Sequence, residues 1–329
     1  MHDVLVSEKI VGEEMDALQR AFAVSVQPDL WKSRDALFAA VGGCRAILVR
    51  NQTKVDRELI AAGKQLKVIG RAGVGLDNVD VKAASEAGVV VAFTPEQNAI
   101  SVAELALGMM LSLARQIPAA DASTKGGRWE RQTFTGTELF GKTLGIVGLG
   151  RIGFLVAMRA RAFGMRIIAH DAFVSPDSVL VAECGAALVS LDDLLARADV
   201  ISVHVPNNAQ TIGMFDADLF GRMKQSAMFI NTSRGEVVDE AALLAALREK
   251  RIAGAALDVR ATEPPAAGEL EMLPNVILTP HVAAFTTEGQ KRVVTSICRD
   301  VAAVLRGEPA RNYVNFPTPR VSAAGVRTN

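Results

Sequence analysis

Apolar positions along this chain follow two alternating rhythms. Short runs of aliphatic and β-branched residues at Val4–Val6, Phe22–Val26, Ala46–Val49, Val68–Ile69 and Val89–Phe93 are separated by stretches with helical spacing. Strand and helix in alternation predict βαβ units and a parallel sheet. Around Ser101 the rhythm gives way to one long helix, Ser101–Arg115, with Ser101 at the cap position, Glu104 three residues on, and an end before Pro118. A polar and aromatic stretch, Lys125–Phe140, then leads into a second βαβ series. Its strands are expected at Leu144–Val147, Arg166–Ala169, Val200–Val205, Ala227–Asn231, Ala253–Val259 and Val276–Leu278. Six parallel strands suit a nucleotide-binding sheet of the Rossmann type. The last long helix, Thr287–Leu305, follows the strand that closes this sheet and is expected to return to the first domain. The second domain (99–285) is thus read as an insertion in a discontinuous first domain (1–98 and 286–329). The tail from Pro317 to Asn329 has no period and reads as loose.

The length of 329 residues, about twice that of a usual domain, agrees with this division. Lys plus Arg (36) equals Asp plus Glu (36), so no global field gathers nucleic acid or an anionic membrane, and any anion must be held locally. Cys44, Cys184 and Cys298 are far apart and lack the close pairs of a zinc site, which reads as buried thiols in a reducing cytoplasm. No apolar run reaches the roughly 18 residues of a membrane span, and the N-terminus has no signal-peptide pattern. A cytoplasmic, unanchored enzyme with no metal is expected.

The chemistry begins at Gly148-Leu149-Gly150-Arg151-Ile152-Gly153, which follows an apolar strand and opens a helix, with Asp171 18 residues beyond the last glycine at the end of the next strand. In that setting GxGxxG points to a dinucleotide. Gly148 allows the tight turn, Gly150 lets a pyrophosphate approach the backbone, and Gly153 lets helix and strand pack closely. Asp171 is placed to accept from the adenosine ribose hydroxyls and would repel a 2′-phosphate. Since Ala172, Phe173 and Val174 provide no Arg to hold one, NAD is favoured over NADP. Three polar islands also sit at strand ends: Asn231–Gly235, Leu257–Pro265 and Thr279–His281. Taken singly, Arg234 reads as a surface cation, Glu263 as a loop acid and His281 as a packed imidazole. Their occurrence at successive strand ends is what suggests a site.

Together with Gly70–Asp80 (GRAGVGLDNVD), Ser101–Glu104 and Asp239–Leu243, these islands resemble the D-isomer-specific 2-hydroxyacid dehydrogenase family over about residues 45–316. The resemblance implies two doubly wound parallel-sheet domains, a Rossmann domain inserted in a flavodoxin-like substrate domain, and a catalytic set carried onto Arg234, Glu263 and His281. His281 would take the hydroxyl proton while a hydride leaves carbon for the nicotinamide, and return it to the ketone in reverse. Glu263 would hold the other ring nitrogen, and Arg234 would bind the α-carboxylate and polarise the carbonyl. Cofactor contacts are implied at Arg151, Ile152, His204, Pro206, Thr232 and Asp258. Substrate contacts are implied at Asn98 and at the backbone amides of Val74 and Gly75.

Arg50, Arg71 and Arg131 resemble positions around the phosphate in animal-type 3-phosphoglycerate dehydrogenases, which implies a substrate with a second anionic group. They are expected to converge on one cleft between domains that close over the substrate. The sequence departs from that subgroup after the catalytic His, reading His281-Val282-Ala283-Ala284-Phe285. An aromatic there leaves sulfolactate, hydroxypyruvate/glyoxylate or a larger 2-keto acid open. The chain stops without the C-terminal serine-sensing extension of many such enzymes, so feedback through one is not expected. The Ser101 helix and the Trp129 segment match the family's dimer interface, and a homodimer is expected. The rival reading is an NAD-sensing dimeric regulator on the same fold.

Overall fold

A computed structural model describes residues 2–320. The chain forms two compact units, one combining the chain up to Asn98 with the chain from Thr286 onward, the other Ala99–Phe285. In the first unit, strands β1 (Val4–Val6), β2 (Val24–Val26), β3 (Ala46–Val49), β4 (Val68–Arg71) and β5 (Val90–Ala92) form a parallel sheet in the order β2-β1-β3-β4-β5. This is the flavodoxin order, and it reverses direction between β1 and β3. Strands β1, β3 and β5 are uniformly apolar and buried, with core clusters on both faces of the sheet.

The 20-residue helix Thr287–Arg306 packs on β4 and on the helix Glu13–Ala21. Its buried stripe, Val293, Val294, Ile297, Val301, Val304 and Leu305, has the spacing of one helix face. Thr286 caps its start by accepting from the Gly289 amide, and Gly307 closes it in the left-handed conformation. Gly70 makes the close approach possible, since a Cβ there would lie 2.7 Å from both Val301 Cγ2 and Leu48 Cδ2. Beyond the helix, Tyr313 bridges Ala92 in antiparallel sense and the Val314 amide donates to the Val91 carbonyl, so this segment covers the edge of β5. The expectation of a loose chain from Pro317 is corrected as far as Arg320. The Pro317 carbonyl accepts from Ala310, and the Arg320 amide donates to the Gly88 carbonyl. The rest of that tail lies outside the described residues.

The second unit holds β6 (Thr143–Val147), β7 (Arg166–His170), β8 (Ala187–Leu188), β9 (Val200–Val203), β10 (Met228–Asn231), β11 (Gly254–Leu257) and β12 (Val276–Leu278), ordered β12-β11-β10-β9-β6-β7-β8 and all parallel. Six strands were expected. The seventh, β8, is two residues pairing with the end of β7 and is too short to show a pattern.

Two helix readings are also corrected. The long helix runs Ala99–Ala114, so Ser101 lies inside its first turn, 3% exposed, rather than capping it. After the helix, Gln116 turns the chain at φ 50° and a further helix, Ile117–Lys125, starts with Pro118 in its first turn. The missing proline N–H is harmless there, because a first-turn amide has no intrahelical partner. No single described helix is long and apolar enough to cross a membrane.

Candidate active site

The strand order of the second sheet reverses between β6 and β9, and the glycine loop lies at that switch point. Gly148 has φ 95°, and a Cβ there would come within 2.8 Å of the His204 carbonyl oxygen, where the chain leaves β9. A Cβ on Gly153 would lie 2.2 Å from the Gly148 carbonyl oxygen. These two glycines are required by the protein's own packing. Gly150 is different: a Cβ there would meet nothing within 4 Å. It caps the helix Arg151–Ala162, whose first amides, those of Arg151 and Ile152 among them, have no partner within the helix. The space beside Gly150 and those amides suits the approach of a pyrophosphate.

Asp171 follows β7 directly. Its Oδ2 accepts from the Leu149 amide (2.8 Å), and its Oδ1 from those of Phe173 (2.8 Å) and Val174 (3.0 Å). The side chain therefore ties the glycine loop to the next strand end, with about one of its roughly four acceptor positions left for a ligand hydroxyl. Farther along the same edge, His204 Nδ1, Asn207 Oδ1 and Thr232 Oγ1 are buried without a hydrogen-bond partner among the described residues. Burial pushes the His204 pKa down to about 3, so the ring is neutral, with Nε2 2.9 Å from Ser202 Oγ. Buried unsatisfied polar atoms at a strand edge fit a ligand that supplies the missing partners. Asn207 was not singled out in the sequence, because nothing but burial distinguishes it from an ordinary loop Asn. Pro206 is exposed in the same loop.

The register of β10, β11 and β12 sets Asn231, Leu257 and Leu278 side by side, so the three polar islands begin at one level. Asn231, almost fully buried, shapes the first. Its Oδ1 accepts from the amide and hydroxyl of Ser233 (2.9 and 2.8 Å), and its Nδ2 donates to the Arg234 carbonyl (2.8 Å). Gly235 then lies against the second island, where a Cβ would be 1.9 Å from the Arg260 carbonyl carbon. The Arg260 guanidinium in turn grips Glu240 through Nε and Nη2 (3.0 and 2.9 Å) and Glu271 through Nη1 (2.5 Å). Those two carboxylates raise its pKa, while Arg260 and the Ala261 amide hold Glu240 below the usual range against the cost of its burial. Arg260 and Glu240 brace the loop that carries Glu263, and sequence reading missed both. The signal was Glu240 inside the quoted Asp239–Leu243 motif.

Glu263 Oε2 lies 2.7 Å from His281 Nδ1, and its Oε1 accepts from the Arg260 amide (3.1 Å). Burial opposes the charge on Glu263. The His281 contact, the Arg260 amide and the nearby Arg234 charge outweigh it and hold the carboxyl below its ordinary value. His281 takes φ 54°, a left-handed conformation uncommon outside glycine. Asp258 stabilises that turn: its carbonyl accepts from the His281 amide (2.8 Å), and its carboxylate accepts from Thr279 Oγ1 (2.5 Å), the Val282 amide (2.8 Å) and the Ala283 amide (2.8 Å). Arg234, Glu263 and His281 thus belong to one cross-braced strand edge.

The remaining candidates divide between the units. Arg71 ends β4, and Arg50 comes one residue after Val49, its partner in register, so both stand at neighbouring strand ends of the first unit. The Arg71 guanidinium folds over the loop that follows, where a Cβ on Gly73 would lie 1.4 Å from Nη1. The half-buried Val74 and Gly75 come next, and their amides make no hydrogen bond among the described residues. Asn98 is buried, and its Oδ1 has no partner among the described residues. Arg131 is exposed in a turn of the second unit, beside the 80% exposed Trp129. Phe285 is 56% exposed at the end of that unit.

Two parallel α/β units, one carrying a glycine-loop nucleotide fold and an Arg, Glu and His at consecutive strand ends, define a dinucleotide-dependent dehydrogenase class. The family description "D-isomer specific 2-hydroxyacid dehydrogenase, NAD binding domain" matches residues 107–283, and the chain belongs to that family. It is 47% identical over 316 residues to a D-3-phosphoglycerate dehydrogenase of Archaeoglobus fulgidus, covering 96% of this chain and 59% of that protein. Among solved structures, a Thermus thermophilus protein superposes with a TM-score of 0.89 at 35% identity, covering 94% of this chain and 99% of the other. A D-lactate dehydrogenase of Aquifex aeolicus, complexed with NAD and lactic acid, gives 0.84 at 30% identity, covering 96% and 100%. The chain spans about three fifths of the length of the curated relatives it matches.

Proposed function

We propose that this chain is an NAD-dependent dehydrogenase interconverting a D-2-hydroxy acid and its 2-keto acid. The observation that carries the reading is the Glu263–His281 contact on Nδ1, which leaves the opposite ring nitrogen for a substrate oxygen. The nicotinamide, when bound, supplies the hydride acceptor or donor. The Gly150 space, the buried polar atoms of His204 and Thr232, and Asp258 are assigned to that cofactor. His281 accepts the hydroxyl proton in oxidation and donates it to the carbonyl in reduction, and Glu263, on Nδ1, orients the ring and fixes its tautomer. Arg234 is assigned to the α-carboxylate and the carbonyl it polarises, and the amides of Val74 and Gly75 and the side chain of Asn98, in the first unit, to substrate contacts. A cytoplasmic homodimer, joined through the Ala99–Ala114 helix and the Trp129 segment, completes the reading.

The substrate we favour carries a second anionic group, as in 3-phosphoglycerate and 3-phosphohydroxypyruvate. Arg50 and Arg71 at adjacent strand ends support it, as does the similarity to curated D-3-phosphoglycerate dehydrogenases. The exposed Phe285, where that subgroup commonly has a small polar run, favours hydroxypyruvate/glyoxylate or sulfopyruvate as the second reading. A panel of 3-phosphohydroxypyruvate, sulfopyruvate, hydroxypyruvate and glyoxylate with NADH separates them. Arg71→Ala is expected to lower kcat/KM for the two doubly anionic substrates by about 10- to 100-fold, the size of a lost charge-assisted hydrogen bond. The other two substrates should change little. No turnover on any of the four would overturn the proposed activity.

Asp171 provides a separate check on the cofactor. Asp171→Ser removes the charge that repels a 2′-phosphate, so the NADH-to-NADPH ratio of kcat/KM should fall by at least about tenfold, the worth of one such hydrogen bond or repulsion. An unchanged ratio would place the discrimination elsewhere.

A further inference from the structure

At the carboxyl edge of the first sheet lies a buried carboxylate to which the proposed chemistry gives no part. Glu8, two residues past β1 and 2% exposed, directs both oxygens at one loop. Oε1 accepts from the amides of Arg50 (2.8 Å) and Thr53 (2.9 Å), and Oε2 from that of Gln52 (3.1 Å). The same loop is held from its other side by Asn78, whose Nδ2 donates to the carbonyls of Arg50 (2.9 Å) and Thr53 (2.7 Å). Ser7 Oγ and Thr53 Oγ1, 2.8 Å apart, close the arrangement. The loop after β3 has no regular structure of its own, yet side chains on both sides hold its amides and its carbonyls.

Placement and cost both argue that this is more than packing. Glu8 and Arg50 leave β1 and β3, the two strands between which the sheet order reverses, and open α/β sheets bind ligands outside the strand ends at such a point. Burying a carboxylate is expensive, and a fold that needed only a tight loop would be served by a turn residue. Glu8 instead satisfies three amides at once and sets its charge near Arg50. Burial lowers the Arg50 pKa, and the Glu8 charge works against that fall, helping to keep the guanidinium cationic.

We propose that Glu8 is a positioning residue for substrate selection: by holding the amides of Arg50, Gln52 and Thr53 it fixes the loop from which Arg50 grips the second anionic group of the substrate. This rests on the reading of Arg50 as a ligand to that group.

The test is the ratio of kcat/KM for 3-phosphohydroxypyruvate to that for glyoxylate, measured with NADH on wild type, Glu8→Gln, Arg50→Ala and the double variant. Glu8→Gln, which turns an amide NH₂ toward backbone donors, is expected to lower the ratio about tenfold, through KM more than kcat. Arg50→Ala should lower it at least as much, and the double variant should match Arg50→Ala, since Glu8 acts through Arg50. Equal losses on both substrates, or losses that multiply in the double variant, overturn the proposal. If Arg50→Ala lowers the ratio and Glu8→Gln does not, the Glu8 inference alone fails. If Arg50→Ala leaves it unchanged, the second-anion reading fails first. Should Glu8→Gln not fold, Glu8→Asp keeps the charge but shortens the reach by one methylene. The same selective loss with NADH binding intact is expected from it, and an unchanged ratio refutes the role.

Discussion

Replacing His281 by Ala is expected to cut kcat by about 10²- to 10⁴-fold while leaving NADH affinity near that of wild type, because a positioned acid–base group contributes on that scale. The imidazole is held at two levels. Its backbone amide donates to the Asp258 carbonyl, and the Asp258 carboxylate holds the Val282 and Ala283 amides, so the turn persists without the ring. The ring itself meets Glu263, which the variant frees to solvent rather than burying unpaired, both side chains being about one-third exposed. The loss should therefore be chemical rather than structural. Steady-state reduction of the keto acid, with NADH binding followed by fluorescence, separates the two. A fully active His281→Ala protein would favour the rival reading of a dinucleotide sensor, whose output depends on cofactor binding and little on this side chain. The pair also has a pH signature. Glu263 titrates below its ordinary value in the folded protein, so the stability it contributes is present above the normal carboxyl range and is lost as pH falls through its lowered value.

Arg234→Ala is the second large effect, expected at about 10²- to 10³-fold in kcat/KM, the usual result of removing one preorganised donor from a polarised carbonyl. Here too the backbone survives the change. Asn231 holds the Arg234 carbonyl, and Gly235 packs on Arg260, neither through the guanidinium. Arg234→Lys should recover little, since an ammonium cannot reproduce a planar fork toward carboxylate and carbonyl together. The loss should appear on singly and doubly anionic substrates alike, which would distinguish Arg234 from Arg71, whose loss is expected only on the latter. A variant that loses only the doubly anionic substrates would move Arg234 out of the catalytic set.

Much of this was legible in the chain. The glycine loop declared itself because its GxGxxG spacing follows an apolar strand and opens a helix, and strand ends could be counted because buried parallel strands are continuous apolar runs. Arg234, Glu263 and His281 were visible as polar residues where such runs stop. What was missed lacks a periodic trace. The two-residue β8 is too short to have a pattern, and the helix Ile117–Lys125 was hidden by a proline that breaks one helix and suits the start of the next. The brace of Arg260 with Glu240 looks in sequence like ordinary exposed charges, because the two are 20 residues apart, and Asp258, expected as a cofactor contact, also holds the turn beneath His281.

By itself, then, the sequence determined the layered architecture and the strand ends that carry chemistry, since those follow from local periodicity and from residue types with few other uses there. Tertiary structure alone decided which polar side chains are tied into bracing hydrogen bonds. Asp171 shows this: the residue read as a ribose acceptor takes two hydrogen bonds from its own loop and a third from the glycine loop. Glu8 shows it again, as an ordinary acid in the sequence that folding buries against three amides. A carboxylate's role depends on which donors the fold brings within about 3 Å of it, and that distance is set by strand register and crossover, which no neighbour along the chain reveals.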